Sequence, residues 1–412
     1  MNKVYRIIIS SFVVLLITGN VFSNETVANK KDLLVKGNNT FAFDLYANLK
    51  NNEGNLFFSP YSISTALAMT YAGARGNTQT QMAKVLHFDL LDTTSLHPAF
   101  KNLIVETQSK NKNYQLNIAN TLWGQKGYKF LNEFLKITKA NYGAGFKEIE
   151  FGNTELARKT INSWVEEQTK NKIKDIIRPG TISPLTQLVL TNAIYFKGNW
   201  VKEFDEKGNK KGTQEAPFYV KPDKGIQVLM MSQKGNFNFV ETDKFQAIEL
   251  PYKGGNLSMF VLLPKKVDGL AELENSLVSD NLSKWIENLQ NHEVRVYFPQ
   301  FKMTSEFSMA GTLNSMGVTD AFSSQSADFS GMAGDTGLFI STVIHKAFID
   351  VNEKGTEAAA VTVVKMQVES RRPMVRQKQI PVFRADHPFI FLIRDNRSGS
   401  ILFIGRLINP IK

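Results

Sequence analysis

Residues 351–373 read VNEKGTEAAAVTVVKMQVESRRP. After Gly355 the side chains alternate. Thr356, Ala358, Ala360, Thr362, Val364, Met366 and Val368 fall on one face of an extended chain, and all are small or apolar. Glu357, Ala359, Val361, Val363, Lys365, Gln367 and Glu369 fall on the other face, which becomes charged towards its end. That is how a strand with one buried face is written. Yet the run belongs to a stretch of roughly 28 residues with no compacting turn chemistry in its middle, set between strand-like residues 343–351 and 380–384. It also passes directly into Ser370-Arg371-Arg372-Pro373, which has the composition of an exposed loop. Pattern alone leaves two readings open: an ordinary strand that runs into a long surface loop, or a segment able to live as either.

Outward from this stretch, the first third of the chain carries a helical period. Residues 33–49 space their apolar side chains as a helix does, and Ser59-Pro60 forms a capped start for an apolar helix over residues 62–74. Residues 156–172 predict a further amphipathic helix, closed by Arg178-Pro179-Gly180. Residues 187–196, 226–231, 245–250, 257–263 and 294–298 are β-branched, aromatic or alternating runs broken by Gly, Pro and Asn, and predict strands. Helices and strands in separate blocks argue for an α+β fold. No linker, repeat or low-complexity run divides the chain from about residue 32 to residue 410, so a single domain is expected over residues 24–412.

The first 23 residues have a different character. Lys3 and Arg6 precede an apolar core over residues 7–17, and Val21-Phe22-Ser23 suits cleavage after Ser23, so residues 1–23 are expected to be a signal peptide. The apolar core is short for a bilayer span, which makes export the expectation and gives none of a membrane anchor. The expected location is secreted and extracellular, or periplasmic if the cell is Gram-negative.

The chain of 412 residues contains no cysteine, so disulfides, thiolate metal sites and a cysteine nucleophile are excluded. Its formal net charge is +11, but Lys and Arg are interleaved with Asp and Glu, and no aromatic platform accompanies them. Nucleic acid is not expected as a partner. Five histidines are present without a Gly-x-Ser-x-Gly elbow, a His-Glu-x-x-His motif or a phosphate-binding glycine loop, so no enzyme activity, metal or cofactor is expected.

Four stretches, in order, resemble the serpin family over essentially the whole chain. Asn55-Leu56-Phe57-Phe58-Ser59-Pro60-Tyr61-Ser62 resembles the entry to its second helix, and Thr191-Asn192-Ala193-Ile194-Tyr195-Phe196-Lys197-Gly198-Asn199-Trp200 a central strand of its main sheet. His345-Lys346-Ala347, followed by Asn352-Glu353-Lys354-Gly355-Thr356-Glu357-Ala358-Ala359-Ala360, resembles the hinge of the bait loop. Asp386-His387-Pro388-Phe389 to Gly405-Arg406 resembles the C-terminal signature.

The resemblance implies about nine helices around three sheets, the main one five-stranded and able to accept a sixth strand from a reactive loop over residues 355–381. It implies a suicide-substrate inhibitor: a serine endopeptidase attacks the bait bond, and the cleaved loop enters the main sheet with the acyl-enzyme attached. Cross-inhibition of a cysteine protease and a monomeric state accompany that expectation. Glu353, Gly355, Thr356, Glu357, Ala358, Ala359 and Ala360 carry over as the hinge, Trp200 as the residue at the entry end, and Ser59, Ser62, Asn192 and His345 as a polar cluster under the opening strands. None of the inward hinge residues is Glu, Arg or Pro, which favours an inhibitor over a carrier or chaperone of the same fold. Fourteen residues on from Gly355, the family register sets the bait bond at Glu369-Ser370, with Arg371 or Arg372 as alternatives suited to a trypsin-like enzyme.

Overall fold

The computed structural model describes residues 29–108, 113–143, 145–205, 212–356 and 380–411. The expected signal peptide, the hinge residues Glu357 and Ala358 to Ala360, and the bait candidates Glu369, Ser370, Arg371 and Arg372 lie outside the described residues.

In chain order the strands are β1 (Leu56–Phe58), β2 (Tyr114–Gln125), β3 (Phe146–Ile149), β4 (Leu188–Asn199), β5 (Gln214–Lys221), β6 (Lys224–Glu241), β7 (Phe245–Pro251) and β8 (Leu257–Pro264). They continue with β9 (Gln290–Pro299), β10 (Phe301–Ser308), β11 (Ile340–Asn352), β12 (Gly355–Thr356), β13 (Val382–Arg384), β14 (Phe389–Asp395) and β15 (Ile401–Leu407). The helices are α1 (29–49), α2 (Pro60–Tyr71), α3 (Gly76–Leu86), α4 (Thr93–Thr107), α5 (Asn132–Tyr142), α6 (Thr154–Gln168), α7 (Leu270–Asn275), α8 (Ser279–Glu287), α9 (Met309–Met316) and α10 (Ser330–Ala333).

The main sheet has the order β10-β11-β12-β4-β2-β3, and β11 also pairs directly with β4, in parallel. Five strands of normal length are therefore present, with the two-residue β12 set between β11 and β4 at one end. The remaining strands form one nine-stranded ladder rather than two separate sheets. The reason is the 18-residue β6, which pairs with β5 in its first part, with β9 in its middle and with β7 at its end. Two of the three expected sheets thus share a strand.

β4 reads as a nearly continuous apolar run because both of its faces are covered. Leu188, Leu190, Ile194 and Phe196 face the large core, which contains α2, while Val189, Ala193 and Tyr195 join Ala157, Ile161 and Val165 of α6 on the outer face. α2 starts where the sequence says it should: Ser59 caps it by accepting from the Ser62 N–H, Pro60 opens its first turn, and all twelve of its residues are buried. At the other end of the chain Arg406 donates to the Lys50 carbonyl at 2.7 Å and to Glu274 at 2.9 Å, tying the last strand to the end of α1.

Candidate functional site: the slot between β4 and β11

The turn that leaves β11 is held from several sides. The indole of Trp200, fully buried just beyond β4, donates to the Asn352 carbonyl at 3.0 Å, and its backbone N–H donates to the Lys354 carbonyl at 2.9 Å. The Phe204 N–H donates to the Glu353 carbonyl at 2.8 Å. The Glu353 carboxylate accepts from Thr213 Oγ1 at 2.6 Å and from Gln300 Nε2 at 2.7 Å. Trp200 and Glu353 therefore both hold the turn.

After this turn the chain doubles back and enters the sheet. Asn352 pairs with Gly355 and Val351 with Thr356 on one side; Asn199 pairs with Gly355 and Gly198 with Thr356 on the other. Both pairings are antiparallel, as a strand inserted between two parallel neighbours requires. Thr356 is fully buried, and its hydroxyl meets that of Tyr252 at 2.8 Å. The inward face predicted from the alternation is thus correct at its first residue.

Gly355 is required by this approach. A Cβ there would lie 2.0 Å from the Gly198 carbonyl oxygen and 2.7 Å from the Asn199 Cα, both backbone atoms that cannot turn aside. Gly355→Ala is expected to expel β12, so that the Thr356 amide exchanges with solvent about tenfold faster or more, the measure being native-state hydrogen exchange.

Beyond β12 the slot is closed, and β11 pairs directly with β4 from Phe348–Tyr195 down to Ile340–Leu188. The polar cluster sits in the middle of this closed part. His345 is directly opposite Asn192, and Asn192 is opposite Asn120 of β2, so β11, β4 and β2 each place one polar side chain in a single row. The Ser59 N–H donates to His345 Nε2 at 3.1 Å, which leaves the ring proton on Nδ1 to donate to Asn192 Oδ1. Asn192 Nδ2 donates to Ser62 Oγ at 2.7 Å and also contacts Asn120 Oδ1. Ser62 Oγ donates to Asn120 Oδ1 at 3.1 Å, and Ser59 Oγ donates to the Leu402 carbonyl at 2.6 Å. All four residues assigned to this cluster are brought together.

Sequence reading missed Asn120, Tyr252, Gln300 and Thr213. Asn120 left a trace, as an amide between the apolar same-face neighbours Ile118 and Leu122. Gln300 and Thr213 left none, because their value depends on where Glu353 points.

The tautomer of His345 has a consequence for pH. A proton on Nε2 would face the Ser59 N–H donor in a site without water access, and burial lowers the His345 pKa from 6.5 to about 3. His97, whose Nδ1 meets the Tyr142 hydroxyl at 2.7 Å, is lowered by burial to about 4. The unfolded chain takes up both protons near pH 6.5 and the native protein does not. Their stabilising contribution is therefore complete above pH 6.5 and is lost as pH falls. Each histidine is expected to remove about 1.4 kcal/mol per pH unit, His97 down to about pH 4 and His345 further, a slope that urea midpoints measured across this range will report.

This arrangement can do two things chemically: hold the start of an inserted strand at one end, and keep the strands below it shut by a row of buried hydrogen bonds. The profile of the Serpin (serine protease inhibitor) family matches residues 36–410. The chain is 43% identical over 381 residues to the leukocyte elastase inhibitor of Xenopus laevis, covering 90% of this chain and 97% of that protein. Among solved structures, uncleaved ovalbumin superposes with a TM-score of 0.82 at 34% identity, covering 92% of this chain and all of the other. Human thyroxine-binding globulin complexed with thyroxine superposes with a TM-score of 0.82 at 32% identity, covering 92% of this chain and 99% of its own.

Proposed function

The chain belongs to the serpin family of serine protease inhibitors, and from that premise we propose that it traps its target as a suicide substrate. The target cuts the bait bond, an acyl-enzyme forms, and the loop from Gly355 onward enters the slot between β4 and β11 before water can release the enzyme. The observation that carries this reading is the burial of Thr356 in β12, already paired on both sides. An insertion that has begun needs only to continue.

The register supports the continuation. Extended one residue at a time from the Thr356 pairs, it brings Thr362 opposite both Asn192 and His345, the two residues whose contact insertion must break. A threonine hydroxyl both donates and accepts, so it can replace that hydrogen bond on each side. The same extension brings Ala358 against Phe196 and Ile349, Ala360 against Ile194 and Ala347, and Val364 against Leu190 and Val343, all core-facing residues. β4 ends at Leu188, opposite Met366 in this register. Glu369 then lies just past the end of the slot. Cutting after Arg371 adds two more residues without a partner on β4 to the three, Gln367 to Glu369, that already lack one, which favours Glu369-Ser370 over the arginines as the bait bond.

The names of the relatives favour a further target class. Leukocyte elastase inhibitor is named for an elastase, and such enzymes accept small side chains. Val368, one residue before Glu369, is the side chain that such an enzyme would take as bait in this chain. A second reading, a non-inhibitory carrier, is kept by the thyroxine complex of a structural neighbour. It is disfavoured by the small inward hinge residues and by the buried Thr356. Export of the chain, with Asn24 as the mature N-terminus, and a monomeric inhibitor that also captures cysteine proteases complete the reading.

The test is incubation of the mature protein with a Glu-specific serine protease, trypsin and leukocyte elastase, followed by denaturing gels and mass spectrometry. A denaturant-resistant complex with a new N-terminus at Ser370, at Arg372 or Pro373, or at Glu369 assigns the bait to Glu369, to an arginine or to Val368 respectively. Cleavage by every enzyme without a complex rejects the inhibitor reading in favour of the carrier.

A further inference from the structure

Tyr252 follows β7 on the nine-stranded sheet, yet its ring lies at the mouth of the slot in the main sheet. It stacks on Trp200 with ring centroids 4.5 Å apart and planes 16° apart, and meets Phe196 edge-on at 5.0 Å. Gly198 leaves the room, since a Cβ there would come within 2.9 Å of the Tyr252 ring. The ring is fully buried, so two aromatic contacts and one glycine fix where its hydroxyl points. It points at Thr356 Oγ1, 2.8 Å away, and Thr356 is itself sealed from solvent. Burial pushes the phenol pKa well above its ordinary value, against a smaller opposing effect of the Thr356 hydroxyl, so this partner stays neutral and keeps its proton.

We infer that Tyr252 is a positioning residue for insertion: its hydroxyl holds Thr356 between β4 and β11 before the bait bond is cut, so that the loop enters by lengthening an existing strand. This rests on the insertion reading above. Starting a strand between two closed neighbours fixes backbone before any ladder bond rewards it, whereas each residue added to a started strand is ordered and paired together. Trapping is a race between insertion and hydrolysis of the acyl-enzyme. A residue that removes the slow start therefore decides how many inhibitor molecules are spent per enzyme trapped.

Tyr252→Phe removes the hydroxyl and keeps the ring on Trp200 and Phe196. In the uncleaved protein the Thr356 amide is expected to exchange with solvent about fivefold faster, the loss of one buried hydrogen bond. With a protease that the parent protein traps, the excess of the stoichiometry of inhibition over one is expected to rise about fivefold. Thr356→Val removes the other half of the contact at nearly constant shape, and the double variant is expected to do no more than either single one. Unchanged exchange and stoichiometry in Tyr252→Phe, or additive effects in the double variant, would overturn the assignment. Exchange is read without any protease, so a parent protein that traps nothing rejects the inhibitor reading while the exchange data still decide whether Tyr252 holds the hinge.

Discussion

Thr356→Arg is expected to turn the protein from a trap into a substrate. The native site of this side chain is sealed, and its hydroxyl meets that of Tyr252. A guanidinium cannot shed its charge, and burying it without a carboxylate costs several kcal/mol. In the uncleaved protein the hinge avoids that cost by leaving the slot, so folding and bait cleavage persist. During insertion the arginine must pass between β4 and β11 first, because every later residue follows it. A barrier raised by about 4 kcal/mol slows insertion roughly 1,000-fold, and hydrolysis of the acyl-enzyme then takes nearly every event. Gels should show cleaved inhibitor and free enzyme in place of a covalent complex, while Thr356→Ser behaves as the parent does.

The second large effect is expected at His345. Replacement by alanine leaves the Ser59 N–H and the Asn192 amide oxygen without their ring partner and opens a void under the closed part of the sheet. Unsatisfied buried groups and the lost packing together cost about 3 kcal/mol or more. The loss should fall on the uncleaved protein. Once the loop is inserted, Thr362 stands between Asn192 and the site of His345, so part of the network is served by the loop. His345→Ala is therefore expected to lower the melting temperature of the uncleaved form clearly more than that of the cleaved form. It should also flatten the acid slope of stability, leaving the part that belongs to His97.

Much of this was legible in the sequence, for reasons that differ from element to element. β4 announced itself because both of its faces are buried, and α2 because Ser59 and Pro60 mark its start chemically. The alternation after Gly355 gave the inward face correctly at Thr356, the one such residue now seen in the sheet. Boundaries were less legible. β6 runs from Lys224 to Glu241 although the expected strand covers residues 226–231, because the β9 ladder carries it on through Lys234 and Asn236 to Phe237 and Phe239, which are buried again. Ser59, Ser62, Asn192 and His345 were reached through family resemblance, since no local pattern joins residues so far apart in the chain. Tyr252 was beyond reach: its role comes from one sheet leaning on another at Trp200, and nothing around Pro251 signals it. The two-residue β12 was equally hidden, because two residues carry no period.

The central claim is that the loop beyond Gly355 completes the main sheet as a strand between β4 and β11. It is tested most directly by cutting the loop of the purified protein with a protease that leaves the rest intact and melting both forms side by side. Insertion adds a fully paired strand across the Asn192–His345 row, and the cleaved form is predicted to melt tens of degrees above the uncleaved one. Equal melting temperatures, or a lower one after cleavage, would mean that the loop stays outside the sheet and would contradict the account.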